Sequence, residues 1–278
     1  MRKIAFLGAG SIAEALISGM IKKNIFKGED IIVKNKSNKQ RLETLKKKYG
    51  IITVETAEEL LNDISLLLIT VKPKDINQAL ESIRPYLSDH VTIVSVAAGV
   101  SISTIQQMLN KANPIIRTMP NTSSKVHESI TAMSYNSNVS DEQVMFVRRL
   151  FDTVGKTYIV DEKHLDAITA LSGSGPAYIY YFTEAMLQAA MKIGLDEKLS
   201  KTFIVQTLKG AVKMIEATDK TCEQLRKDVT SPGGTTEAGI NKLNDYNVQK
   251  AIIECIVAAK ERSIQIGKQF ENTFVKSK

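Results

Sequence analysis

Lys3-Ile4-Ala5-Phe6-Leu7-Gly8-Ala9-Gly10-Ser11-Ile12-Ala13 is the stretch on which the reading of the fold turns. Its first five residues form an apolar, β-prone run that ends on two glycines. Ala15, Leu16, Ile17, Met20 and Ile21 then recur at helical spacing. A strand that turns on glycines into a helix aims unpaired backbone N–H groups at one spot, which suits a pyrophosphate. Gly8 permits the tight turn, Gly10 lets a phosphate approach the backbone, and Ala13 lets the helix pack close to the strand. Gly8, Ala9, Gly10, Ser11 and Ile12 are thus the candidate dinucleotide loop. A tight βα turn that binds nothing would show the same pattern, and a bare GxGxxA match does not separate the two. The rest of the chain must.

With 278 residues, 43% of them hydrophobic, the chain has the length of two domains and enough apolar mass for real cores. Met1-Arg2-Lys3 before the apolar run imitates a signal peptide, but the run is too short and Glu14 soon follows. No segment reaches the roughly 18 uncharged apolar residues of a membrane span. A cytoplasmic, soluble protein is the expectation. Cys222 and Cys255 stand alone and read as buried, inert thiols in a reducing compartment. His90, His127 and His164 are scattered without a metal-ligand spacing, so no metal site is expected. Lysine and arginine number 37 against 30 acids, a net charge of +7. These cations neither gather on one arm nor interleave with aromatics, which speaks against nucleic acid. Lys46-Lys47-Lys48 reads as a solvated helix end. An anionic small ligand accounts for the charge.

Short apolar runs alternate with helical stretches to about residue 120. Strands are expected over 31–33, 51–54, 65–71, 91–96 and 115–118. Helices are expected over 38–48, Ala57–Leu61, 75–86 and 101–109. Apolar strands without alternation, separated by helices, predict a parallel sheet covered on both faces. Such doubly wound sheets bind ligands beyond the carboxyl ends of their strands. Ser129–Tyr135, the helix Asp141–Phe151 and the strand 156–160 extend the same sheet. After Val160 long helical patterns follow (165–171, 178–193, 198–217, 247–270), with small residues that allow close packing. The reading is an α/β Rossmann-type N-terminal domain, 1–160, followed by an all-α C-terminal domain, 161–278. Gly173, Gly175 and Pro176 mark a kink or cap within the first helices.

NAD-binding folds carry an acid about 20 positions beyond the glycines, for the ribose 2′-hydroxyl. Here the second strand ends in Val33-Lys34-Asn35-Lys36-Ser37-Asn38, with no acid, and Glu29 and Asp30 come too early. Asn35, Lys36 and Ser37 can donate to a 2′-phosphate, and Lys39 and Arg41 add positive charge. Ser37 with Gln40 also forms a capping-box pattern, so a plain helix start fits the same residues. The two readings are compatible. NADPH is the expected cofactor, with NADH weaker.

Downstream, Asp228-Val229-Thr230-Ser231-Pro232-Gly233-Gly234-Thr235-Thr236 leads into a helix. Two glycines, a proline and four hydroxyl residues at a helix start make a nest of donors for a small anion. An ordinary capped turn needs fewer of them. With this stretch the sequence resembles the Δ1-pyrroline-5-carboxylate reductase family, whose signature fits 230–244 with the Ser-Pro-Gly-Gly-x-Thr core intact. Gly8-Ala9-Gly10, Val71-Lys72-Pro73, Ala97-Ala98-Gly99-Val100, Met119-Pro120-Asn121-Thr122 and Leu171-Ser172-Gly173-Ser174-Gly175-Pro176-Ala177-Tyr178 look like further family blocks in the right order.

The resemblance spans essentially the whole chain. It implies an oxidoreductase of proline biosynthesis that reduces the cyclic imine Δ1-pyrroline-5-carboxylate to L-proline. It implies a helical domain that forms an intertwined homodimer, and dimers in the family often assemble into a decamer. It implies that Val71, Lys72, Pro73, Val96, Ala97 and Ala98 line the nicotinamide half of the cofactor. Ser231, Gly233, Gly234, Thr235 and Thr236 would hold the substrate, with Glu162 approaching it. The backbone of Gly233, Gly234 and Thr235 with the Ser231 hydroxyl would take the carboxylate, and Thr236 the ring nitrogen as the catalytic hydroxyl. Ser11-Ile12 stands where Asn-Met is common, Ser123-Ser124 where Pro-Ala is, and His127 where glycine is. Asp219 and Cys222 replace a more usual glutamate and proline.

Two rival readings share the scaffold. A related NADP-dependent imine or β-hydroxy-acid oxidoreductase is one. The β-hydroxy-acid chemistry usually recruits a lysine on the first long interdomain helix, and 165–182 holds none. A non-catalytic NADP-binding regulator is the other, and it would have no need of an intact substrate loop.

Overall fold

Ile4 and Phe6 alternate with Ala5 and Leu7 along the first strand, and all four are buried. A strand apolar on both faces must be covered on both, and the chain supplies that cover by crossing repeatedly from strand to helix. The computed structural model describes residues 3–276, with side chains as far as Phe270. Met1 and Arg2 of the leader-like start, and residues 277–278 of the expected helical domain, lie outside the described residues.

The first unit alternates β1 (Lys3–Leu7), α1 (Ser11–Lys22), β2 (Ile31–Lys34), α2 (Lys39–Tyr49), β3 (Ile52–Val54), α3 (Ala57–Leu61), β4 (Ile64–Ile69), α4 (Ile76–Ile83), β5 (Thr92–Ser95), α5 (Ile102–Leu109) and β6 (Ile115–Met119). Then come β7 (Ser129–Tyr135), α6 (Asp141–Phe151), β8 (Gly155–Ile159) and α7 (Leu165–Ile168). The described strands form one sheet in the order β3-β2-β1-β4-β5-β6-β7-β8. Strand order reverses between β1 and β4, where doubly wound sheets open their crevice. One core, with Ile4, Phe6, Leu16, Ile17, Leu45 and Phe151, lies on the face bearing α1, α2 and α6. The other, with Ala5, Leu67, Ile69, Leu80 and Ile105, lies under α3, α4 and α5. Each large side chain so buried contributes about 1.5–3 kcal/mol.

The all-parallel expectation fails at one pairing. β7 runs antiparallel to β6, with Ile116 opposite Tyr135 and Met119 opposite Ala132. The connection 120–128 is too short for a helical crossover, so the chain must turn back on itself. It does so through a 3₁₀ turn, Thr122–Val126, capped by the Asn121 side chain and closed by His127 in the left-handed region (φ 62). That backbone explains why glycine is usual at this position. β8 then pairs parallel to β7.

Two local expectations are corrected. The α2 cap is Asn38, whose Oδ1 accepts the Arg41 N–H at 2.8 Å, not Ser37. Lys48, expected to be merely solvated, reaches Glu14 at 3.0 Å.

Beyond α7 a single π turn, Thr169–Gly173, precedes α8 (Gly175–Lys192). An added Cβ at Gly173 would meet only the mobile tip of Met119, Cε at 2.5 Å, with its other neighbours at 3.8 Å. The remaining elements are α9 (Glu197–Ala217), α10 (Cys222–Asp228), α11 (Thr235–Asp245) and α12 (Val248–Lys276). The chain forms two compact units: residues up to Pro176 together with those from Ala259 onward, and residues Ala177–Ala258. In the second unit Tyr181, Phe203, Ile193 and Tyr246 are exposed on the single chain. Cys222 and Cys255 are exposed too, against the expectation of buried thiols. These helices lack a covering layer within one chain.

The C-terminal half of α12 completes the first unit. Gly99 is left-handed (φ 75), and a Cβ there would lie 2.8 Å from the Ser263 carbonyl. Ser263 Oγ donates to Asp166 Oδ1 at 2.9 Å, and Asp166 also pairs with Arg117 at 3.1 Å. Arg117, buried on β6, meets Glu162 as well at 3.2 Å. Removing one member of such a cluster strands the others, at about 3–5 kcal/mol for a buried pair and less for these half-exposed carboxylates. Arg117→Met should therefore cost about 2–3 kcal/mol in urea denaturation of the whole chain. A loss below about 0.5 kcal/mol would remove the cluster from the framework.

Candidate functional site

At the carboxyl end of β1 the backbone of Gly8 is tied on both sides. Its N–H donates to Lys34 O at 2.8 Å, and its carbonyl accepts the Thr70 hydroxyl at 2.9 Å. Gly8 has φ 114, and a Cβ there would stand 2.8 Å from the Thr70 carbonyl carbon. No side-chain residue fits. Gly10 follows as the exposed N-cap of α1, and a Cβ there would meet nothing nearer than Thr70 O at 3.7 Å. Ser11 is exposed and Ile12 half-buried, so the first-turn N–H groups of α1 point to an open rim. The turn fits a pyrophosphate.

The neighbouring carboxyl ends carry the other candidates. Asn35, Lys36 and Ser37 follow β2. Val71, Lys72 and Pro73 follow β4, and Val96, Ala97 and Ala98 follow β5, with Val96 N–H donating to Ile69 O at 3.2 Å. The sheet thus brings these three groups and the Gly8–Ile12 turn to one rim, on both sides of the β1/β4 switch point. An NADP-sized ligand would lie along that rim, its adenosine end toward β2.

The expected cations are not equivalent. Lys39 is paired with Glu55 at 2.7 Å. Arg41 donates from Nε to Ala9 O at 3.0 Å and from Nη2 to Glu14 Oε2 at 2.5 Å, so it braces the glycine turn from beneath. Glu14 Oε1 takes Lys48 and the Tyr49 hydroxyl, each at 3.0 Å. Burial alone would raise the Glu14 carboxyl, but the hydrogen bonds from Arg41, Lys48 and Tyr49 outweigh it and hold the carboxyl at about 2. Lys36 alone of the three has an uncharged partner, Gln78 Oε1, at 2.6 Å.

The loop before α11 belongs to the second unit. Gly233 is left-handed (φ 72), and Gly234 is the N-cap with no side-chain partner. Gly233 N–H donates to Glu237 Oε2 at 2.8 Å, and Gly234 N–H to Ser231 O at 3.0 Å. Two of the three expected backbone donors are therefore spent within the loop. The hydroxyls of Ser231, Thr235 and Thr236 and the first-turn N–H groups of α11 remain for an anion. Ser231, Thr235 and Thr236 are all exposed. Glu162 lies in the first unit, where its Oε1 accepts the Ile102 N–H at 2.8 Å and so caps α5.

Glu14, Thr70, Gln78 and Arg117 escape the sequence reading. Two of them left a signal. An acid one turn into a helix meant to receive a phosphate needs neutralising partners, and a lone arginine in the strand Ile115–Met119 needs carboxylate partners. Among the described residues no cluster suits a metal ion, and no helix is long and apolar enough to cross a membrane.

The Glu14 cluster carries a pH signature. A carboxyl held below its ordinary 4.5 adds stability above that value and loses it as pH falls from about 5 toward 2. Glu14→Gln should cost about 1–2 kcal/mol at pH 7, the exposed Lys48 being screened by water. The gap to the unaltered chain should close on acidification. A gap constant from pH 7 to 3 in denaturant melts would refute this.

Residues 162–266 match the family model described as pyrroline-5-carboxylate reductase dimerisation, and residues 3–99 match one described as NADP oxidoreductase coenzyme F420-dependent. The chain is 43% identical to pyrroline-5-carboxylate reductase 2 of Bacillus subtilis, over 97% of each chain. It is 36% identical to the pyrroline-5-carboxylate reductase of Staphylococcus haemolyticus, over 97% of this chain and all of that one. The crystal structure of Plasmodium falciparum pyrroline carboxylate reductase with NADP bound superposes with a TM-score of 0.88 at 32% identity, over 96% of this chain and 98% of that one. From its glycine turn to its helical half, this chain belongs to the pyrroline-5-carboxylate reductase family.

Proposed function

We propose that the chain reduces Δ1-pyrroline-5-carboxylate to L-proline with NADPH. The observation that carries this reading is identity of 43% across 97% of both chains with a named reductase of that substrate. NADP in the solved relative supports the cofactor, as does a β2 end rich in donors and free of acids. Residues 1–160 serve as the cofactor domain and 161–278 as the dimerisation and substrate domain. The reading places the enzyme in the cytoplasm.

Gly8, Ala9, Gly10, Ser11 and Ile12 hold the pyrophosphate through backbone N–H groups. Asn35, Lys36 and Ser37 hold the 2′-phosphate, and Val71, Lys72, Pro73, Val96, Ala97 and Ala98 form the nicotinamide wall. When bound, the dihydronicotinamide supplies the two electrons as hydride. The protein supplies position and electrostatics, since a protonated cyclic imine is already a good electrophile. Ser231 and Thr235, with the N–H groups of Thr235 and Thr236, take the carboxylate. Gly233 and Gly234 shape the loop that presents them. The Thr236 hydroxyl sits at the ring nitrogen. It accepts the iminium N–H at the start, and it can donate to the nitrogen lone pair once the C=N bond has become single. Glu162 serves the cofactor side of the reaction, by fixing the start of α5 just after Ala97 and Ala98.

Thr236→Ala should lower kcat/KM for the imine roughly ten- to a hundredfold with NADPH affinity unchanged, the worth of one hydrogen bond to a charged group. Ser231→Ala should instead raise KM, because its carboxylate partner changes little between ground and transition state. Steady-state kinetics with pyrroline-5-carboxylate at the nicotinamide absorbance band test both. Full activity of Thr236→Ala with a lowered Tm would reduce the residue to a helix-start role.

The dimerisation-family match and the exposed apolar faces of the second unit support a homodimer through the helical half; a decamer of such dimers is the higher assembly proposed from the family resemblance alone. Light scattering should find no folded monomer at micromolar concentration. A stable, active monomer would overturn the assignment.

A further inference from the structure

Three cations follow β2, and their partners divide them. Lys39 is neutralised by Glu55, while Arg41 shares Glu14 with Lys48 and spends its Nε on the Ala9 carbonyl, so both side chains are already held by the protein. Lys36 donates to the side-chain oxygen of Gln78 at 2.6 Å. That contact joins residues 42 positions apart. It links the loop after β2 to the first turns of α4, which follows β4, so its ends stand on the two strands that flank β1 in the sheet. The bridge therefore lies at the adenosine end of the rim, where the strand order brings those two loops together.

A lysine has four rotatable bonds, and an exposed one samples many positions. A glutamate partner would fix it and cancel its charge. A glutamine fixes it and leaves the charge whole. We propose that Gln78 is a cofactor-selecting positioning residue: it holds the Lys36 ammonium in place for the 2′-phosphate of NADPH. The inference rests on the assignment of Lys36 to that phosphate. Gln78 touches Lys36 and acts through it, so its effect belongs to NADPH alone and vanishes when Lys36 is absent.

Isothermal titration of NADPH and of NADH into the purified oligomer tests this without turnover. Gln78→Leu should weaken NADPH about three- to tenfold and NADH less than twofold, with Tm unchanged because the side chain is exposed. Gln78→Glu should weaken NADPH at least as much, since it restores the neutralising pair. In a Lys36→Ala background, Gln78→Leu should have no further effect, the non-additivity of two residues acting as one. If Lys36→Ala shifts the NADPH-to-NADH ratio while Gln78→Leu does not, or if the two losses simply add, Gln78 has no positioning role. If Lys36→Ala leaves the ratio unchanged, the phosphate assignment itself is wrong, and this inference falls with it.

Discussion

The backbone of Gly8 joins three strands. Its N–H is held by the end of β2 and its carbonyl by the Thr70 hydroxyl at the end of β4, while its own strand lies between them. A side chain has no room there, because the Thr70–Val71 backbone just beyond β4 stands where a Cβ would be. The rim of the sheet, and so every loop that a dinucleotide would touch, takes its position from that junction. Arg41 secures it from below through the Ala9 carbonyl, and Glu14 secures Arg41. The order of dependence runs from a missing methyl group to a turn, from the turn to a helix start, and from the helix start to an anion.

Electrostatics near that turn are sorted by pairing rather than by number of charges. Lys36, Lys39 and Arg41 look interchangeable along the chain, and the fold gives them three different tasks. Sequence could not separate them, because their partners stand 42, 16 and 27 residues away. What sequence does carry is local. The strand and helix periods, the glycine turn, the Ser-Pro-Gly-Gly loop and the absence of an acid after β2 are each written within a dozen residues, and each reappears in the fold. The Asn38 cap was missed because Ser37 and Asn38 are both good caps, and only the backbone angle at α2 chooses. The spent donors of Gly233 and Gly234 were hidden for a related reason. Nothing in the loop sequence says that Glu237 turns back upon it. The antiparallel β7 was legible in principle, from the shortness of 120–128.

The exposed thiols have a different cause. Cys222 and Cys255 belong to helices whose apolar faces are open on one chain, and a rule drawn from closed cores does not reach them. Exposure on a single chain and exposure in an assembly are different properties. Within residues 177–258 only Ala190, Ser200 and Ile204 are buried on the single chain, far too small an interior for a core of its own.

The first unit is discontinuous along the chain. It leaves off at Pro176 and resumes at Ala259, and the resumed part supplies Ser263 to Asp166 and packs on Gly99. During synthesis the sheet emerges early, yet Gly99 stays without its packing partners Ser263 and Ile266 until residues some hundred and sixty positions later leave the ribosome. Closing so long a loop adds only a few kcal/mol of entropy over a short one, and contacts of such long sequence separation slow folding. A nascent chain thus completes its first unit only after the whole of its second has been made.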